Sequence, residues 1–190
     1  MKKIMFSDKF QLTKAVLEGR KTMTRRIIPE KVKNEAYEYM QKCHGTGHDI
    51  KDYLLAHAPY KVGDILAVAQ AYRYLKYKIG TEEGATPGWS NKMFVKAELM
   101  PHRICITNIN IERLQDISDK DCQREGITTM TEGRYEAGNG YGWNTTIDAL
   151  KRETFFTPRA AFAARINKVS GKGTWERNPW VFVYEFELVK

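Results

Sequence analysis

Apolar residues recur in short alternating runs along most of this chain, and only a few stretches carry the three-to-four spacing of a helix. Residues 3–7 read as a first strand. Residues 8–17 follow as a short amphipathic helix, with Leu12, Ala15 and Val16 on one side. Gly19 stops it, because glycine takes the left-handed conformation without a Cβ penalty. Residues 21–28 are extended, and Pro29 ends them. Two short helical pieces, 35–42 and 49–57, are split by Gly45-Thr46-Gly47. The turn at Gly63-Asp64 leads into an apolar strand over 65–68, and residues 72–78 either extend that strand or pair with it. Gly80, Gly84, Pro87 and Gly88 mark 80–91 as a loop. Residues 93–99 and 103–113 read as strands. Ser118-Asp119-Lys120-Asp121 resembles a capping box, so a short helix runs toward Glu125 and ends at Gly126. Residues 131–145, rich in glycine and aromatics, read as a flexible loop. Thr157-Pro158 is a cap and first residue for a helix through 166. Residues 180–189 alternate as a closing strand.

This order of elements predicts an α+β fold: a small, partly closed β-barrel with helices at its ends. Residues 1–190 form one domain, with insertions at about 30–58, 74–92 and 128–157. No apolar run approaches the ~20 residues that a membrane helix needs. Asp8 and Lys9 cut the N-terminal apolar stretch too short for a signal peptide, so a cytoplasmic location is expected. Cys43, Cys105 and Cys122 are widely spaced with no CxxC, which suggests reduced thiols. Cys43, His44 and His48 offer at most three metal ligands, so no metal or cofactor is expected.

Charge sharpens the picture. The formal net charge is +8 and the isoelectric point about 9.3, which points to an anionic partner, nucleic acid or nucleotide first; the partner expected is a nucleoside, nucleotide or RNA. The densest cationic stretch is Gly19-Arg20-Lys21-Thr22-Met23-Thr24-Arg25-Arg26. It can hold an anionic or nucleotide ligand. It also reads as a solvated basic strand with threonines placed for β-propensity. Tyr141 and Trp143, in Gly138-Asn139-Gly140-Tyr141-Gly142-Trp143, can stack on a base or simply anchor a loop. That stretch lacks the Lys-Ser/Thr and the preceding strand of a phosphate loop.

Three further blocks join the basic octet: Val62-Gly63-Asp64-Ile65-Leu66, the run from Arg113 to Ile127 with Glu125-Gly126-Ile127, and the C-terminal Gly171-Lys172-Gly173, Trp175 and Asn178-Pro179-Trp180. In this order they resemble the ASCH domain, a relative of the PUA RNA-binding barrel, and in particular the longer ASCH proteins of phages and prophages. The resemblance implies a PUA-like barrel with a cleft where the helix-to-strand turn meets the barrel mouth. Some small ASCH proteins are amidohydrolases that deacetylate acetylated cytidine, with a lysine and a threonine in a G-x-K-x-x-T-x-R stretch and a later glutamate. The pattern falls on Lys21, Thr24 and Glu125 as catalytic residues, with Arg26 as the closing arginine. Arg20, Arg25, Arg26, Gln70, Tyr72, Tyr141 and Trp143 complete the expected ligand contacts. Where the long relatives usually carry Arg-Glu-Thr-Trp, this chain has Ala69-Gln70-Ala71-Tyr72, so Gln70 can hydrogen-bond but cannot act as a base.

The chemistry fits those residue types. Threonine needs a neighbouring base to become a nucleophile. Lysine serves if burial or nearby cations disfavour its charge. Lys21 and Thr24 differ by three, so on a straight strand they face opposite ways. They converge only if Lys21 sits in the turn and Thr24 in the strand. Three expectations follow: an amidohydrolase acting on a modified cytidine, a non-catalytic RNA-binding module, or an accessory protein whose cleft takes a small anion or a protein.

Overall fold

The computed structural model describes residues 1–42, 50–75, 87–129, 135–136 and 154–189. Its strands are β1 (Lys3–Ile4), β2 (Met23–Ile27), β3 (Ile65–Val68), β4 (Arg103–Arg113), β5 (Thr128–Thr129), β6 (Tyr135–Glu136), β7 (Thr154–Phe155) and β8 (Trp180–Val189). Its helices are α1 (Leu12–Leu17), α2 (Glu30–Lys42), α3 (Ile50–Ala56), α4 (Asp119–Arg124), α5 (Pro158–Ser170) and α6 (Thr174–Arg177). The fold is α+β. Five strands form one sheet in the order β1-β3-β4-β8-β2, and β5-β6-β7 form a small second one. The expected pairing of 65–68, 104–111 and 181–186 is present: β3 pairs with β4, and β4 with β8, all antiparallel. Only β1 runs parallel to its neighbour in this sheet. No described helix is long and apolar enough to cross a membrane.

Alternation along β8 gives the sheet two apolar faces. Phe182, Tyr184 and Phe186 join Ile4, Phe6, Leu12, Val16 and Leu54 in the larger core. Val181 and Val183 face the other way, toward Leu114, Cys122, Ala161 and Phe162. Strand β2 lies at the sheet's edge, in register with β8, so Thr24 sits opposite Tyr184 and Arg25 opposite Val183. Its side chains are therefore divided between the two faces. Arg26 reaches from this edge toward the opposite one, donating from Nη2 to the Met5 carbonyl just beyond β1 at 2.5 Å.

Local chemistry explains where the helices begin and end. Ser118 Oγ accepts from Asp121 N–H at 3.1 Å at the start of α4, and Thr157 Oγ1 accepts from Ala160 N–H at 3.1 Å before Pro158 opens α5. Helix α5 runs past 166 to Ser170, where Gly171 at φ 101° stops it. Helix α2 starts at Glu30 rather than 35, because Pro29 suits a helix entrance and Glu30 pairs with Lys33.

Two expected strands are absent. Residues 92–94 and 97–99 form 3-10 turns in place of a strand over 93–99. Side chains there take over the ladder's role: Lys3 Nζ donates to the Met93 and Val95 carbonyls at 2.5 and 2.9 Å. The buried Lys92 ammonium turns inward to the Phe6 carbonyl, to Asp8 Oδ1 at 2.8 Å and to Thr13 Oγ1 at 3.1 Å. Residues 72–74 are also a 3-10 turn, with Tyr72 N–H donating to the Gly88 carbonyl at 2.9 Å.

Candidate active site

The site is built on the passage from α1 into β2. Gly19, at φ 71°, ends the helix, and Lys21 N–H returns to the Ala15 carbonyl at 2.9 Å. Thr22 then joins the sheet by accepting from Phe186 N–H at 2.9 Å, while its own N–H donates to the Arg124 carbonyl at 2.9 Å. Lys21 thus lies in the turn and Thr24 in the strand. That is the arrangement under which two residues three apart can share one site.

The Lys21 side chain is buried, 1 % exposed. Its ammonium donates to the Met23 carbonyl at 2.7 Å, to the Glu125 carbonyl at 3.0 Å and to Glu125 Oε2 at 2.5 Å. Glu125 closes α4, and Gly126 follows at φ 90°. A Cβ at Gly126 would lie 3.5 Å from Lys21 Cβ. That is an ordinary packing distance, so it is the φ of 90° rather than space that calls for glycine here. The second carboxylate oxygen of Glu125 takes Arg25 Nη1 at 3.3 Å. Arg25 is also paired with Glu112 at 2.7 Å and Asp121 at 3.6 Å. From α5, Arg165 Nη2 donates to the Glu125 carbonyl at 2.9 Å.

A cavity of about 270 Å³ opens along the edge of β2, lined by Lys21, Thr24, Arg25, Arg26, Glu125 and Arg165 among others. No hydrogen bond engages the Thr24 hydroxyl among the described residues, and the group is not sealed from solvent. Phe6 forms part of the wall, its ring centroid 5.9 Å from Lys21 Nζ and 5.6 Å from Arg26 Cζ.

Charge in this enclosure is tuned. Burial pushes the Lys21 pKa down from 10.5, Glu125 pulls it back, and Arg165 and Arg26 depress it again, to about 8. Burial alone would raise the Glu125 carboxyl, but Lys21, Arg25 and Arg165 outweigh it and hold it below the ordinary carboxylate value. Cys122, nearby, is raised to about 12, chiefly by burial. It stays a thiol and takes no part in nucleophilic chemistry.

The other expected contacts are scattered. Arg20 is exposed and bound to Glu18 at 2.5 Å. Gln70 lines a separate cavity of about 150 Å³ beside Asp8, Thr13 and Tyr74, and its Oε1 is buried without a hydrogen bond. Tyr72 packs in an apolar cluster with Leu75, Val95 and Met100, away from the Lys21 cavity. Tyr141, Trp143, Cys43, His44 and His48 lie outside the described residues. Sequence reasoning missed Arg165. Its signal was a cation at helical spacing from Ala161 and Phe162, on the face that α5 buries.

Neither a protein-family model nor a curated protein matches this chain. Two solved structures resemble it. One is protein EF3133 from Enterococcus faecalis V583, described as DUF984. It shows 13 % identity and a TM-score of 0.37 over 94 % of this chain and 67 % of that one. The other is an ASCH domain from Lactobacillus crispatus JV V101. It shows 12 % identity and a TM-score of 0.35 over 96 % of this chain and 75 % of that one. An ASCH domain is thus one of these two structures. At these identities and scores the likeness bears on no residue's role.

Proposed function

We propose that the Lys21 cavity is an amide-hydrolysing site whose substrate is an N-acylated cytidine. The observation that carries the reading is the buried Lys21 amine. It is held 2.5 Å from Glu125, is depressed to about 8, and lines the same cavity as an unengaged threonine hydroxyl. A general base works best when its pKa lies near the operating pH, and about one Lys21 in ten is neutral at pH 7. In that form the Thr24 proton passes to Lys21 as Thr24 Oγ1 attacks the acyl carbon. The C–N bond then breaks, and the proton returns to the departing exocyclic nitrogen. Water cleaves the threonyl ester through the same base and releases the carboxylic acid. Glu125 orients the amine and stabilises it when protonated. The resemblance of Gly19 to Arg26 to the acetylcytidine amidohydrolases supplies the substrate class.

One observation favours a second reading. All three N–H bonds of the protonated Lys21 already have acceptors, as expected of a structural clamp between α4 and β2 in a nucleotide-binding module. Incubation of the purified protein with acetylcytidine separates the two. Release of acetate and cytidine supports the hydrolase. Cytidine binding without acetate release supports the binding module.

A further inference from the structure

We propose that Arg165 and Arg26 form an anion subsite within the Lys21 cavity, and that it takes the phosphate of a mononucleotide. The proposal deepens the nucleotide-site reading above and rests on it. Arg165 is 3 % exposed. One arm of its guanidinium donates to the Glu125 carbonyl, while Nη1 is buried and has no acceptor. Arg26 donates from Nη2 to the Met5 carbonyl, and its Nε is likewise buried without an acceptor. Neither forms an ion pair with a carboxylate among the described residues.

Arg25 makes the contrast plain. It meets Glu112, Asp121 and Glu125, and Lys21 meets Glu125. The carboxylates of the cluster thus contact Arg25 and Lys21, whereas Arg165 feels Glu125 only at longer range and neither Arg26 nor Arg165 has a carboxylate in contact among the described residues. Buried guanidinium N–H groups left without acceptors are costly, and a planar fork of donors suits a phosphate. Both residues line the cavity and lie near enough to Lys21 for their charges to depress its pKa, and because the two unpaired nitrogens are themselves covered, a phosphate reaches them as the guanidinium groups turn toward the cavity. At about 270 Å³ the space falls near the lower edge of the ~300–1,000 Å³ of small-molecule sites. That size suits one nucleotide unit better than a continuous strand.

The test compares cytidine, cytidine monophosphate and inorganic phosphate on the wild-type protein by calorimetry. The monophosphate should bind at least about tenfold more tightly than cytidine, and inorganic phosphate should compete with it. Arg165→Met should bring the monophosphate down to the affinity of cytidine, and Arg165→Lys should recover part of the difference. Equal wild-type affinities for cytidine and its monophosphate overturn the proposal. So does binding of an RNA oligonucleotide without binding of the monophosphate, which assigns the charge to a surface track. If Arg165→Met does not fold, the wild-type comparison and the phosphate competition still decide. A preference for the monophosphate without acetate release from acetylcytidine refutes the catalytic reading and leaves the subsite standing.

Discussion

Replacing Glu125 by glutamine removes the buried carboxylate and keeps its shape, and Lys21 limits the damage. Lys21 titrates near 8 in the folded protein against 10.5 in a free chain. The unfolded chain therefore binds more protons between those values, and wild-type stability rises with pH across that window. Without Glu125 the Lys21 pKa falls further, so the variant escapes part of the penalty by releasing the proton. Each pH unit below 8 at which the wild type holds that proton and the variant does not is worth about 1.4 kcal/mol. For a variant that has shed that proton throughout this range, the Lys21 share of the loss is near zero at pH 9, about 1.4 kcal/mol at pH 7 and about 2.7 kcal/mol at pH 6. Arg25 keeps Glu112 and Asp121, so its lost contact adds only about 1–2 kcal/mol, nearly independent of pH. Glu125 itself stays ionised over this range, because its neighbours hold it below the ordinary carboxylate value. Urea unfolding of both proteins at pH 6, 7 and 9 reads the difference directly. A loss that is flat with pH, or that grows toward pH 9, refutes the account of Lys21 as a buried amine supported by Glu125.

Three further outcomes are expected. If Lys21 is the base, kcat/KM for acetylcytidine should rise about tenfold per unit below pH 8 and level off above it; a flat profile from 6 to 9 in initial-rate assays removes Lys21 from that role. Thr24→Val should cost less than about 1 kcal/mol in urea unfolding, because the hydroxyl has no hydrogen bond to lose, yet it should abolish acetate release. Gly126→Ala should lower stability by roughly 1–3 kcal/mol through its φ of 90°; an unchanged melting curve would show that the turn adapts freely.

The long strands were legible because alternation over 103–113 and 180–189 is strong and both pair within the main sheet. Ser118, Thr157 and Gly126 marked helix ends through their own cap chemistry. The segment 93–99 looked like a strand from its apolar residues. Its backbone is instead served by Lys3, a residue 90 positions away in sequence for Met93, which local pattern cannot reveal. Lys21, Thr24 and Glu125 were nameable through motif resemblance, and their meeting in one cavity depends on the turn at Gly19. Arg165 was not nameable by motif, because its meaning comes only from α5 packing against the end of α4. Gln70 and Tyr72 were both expected to contact a ligand, but the 3-10 turn at 72–74 sends Tyr72 into an apolar cluster while Gln70 lines a cavity apart from Lys21.

The central claim is that Thr24 attacks an acyl group with Lys21 as its base. Peptide mass mapping after rapid quenching of the protein with acetylcytidine tests it most directly. The account predicts an acetyl group on the peptide carrying Thr24 in the wild type, and none in Thr24→Val or Lys21→Met. Turnover with no acetylated Thr24 at any quench time, or equal turnover in Thr24→Val, would contradict it.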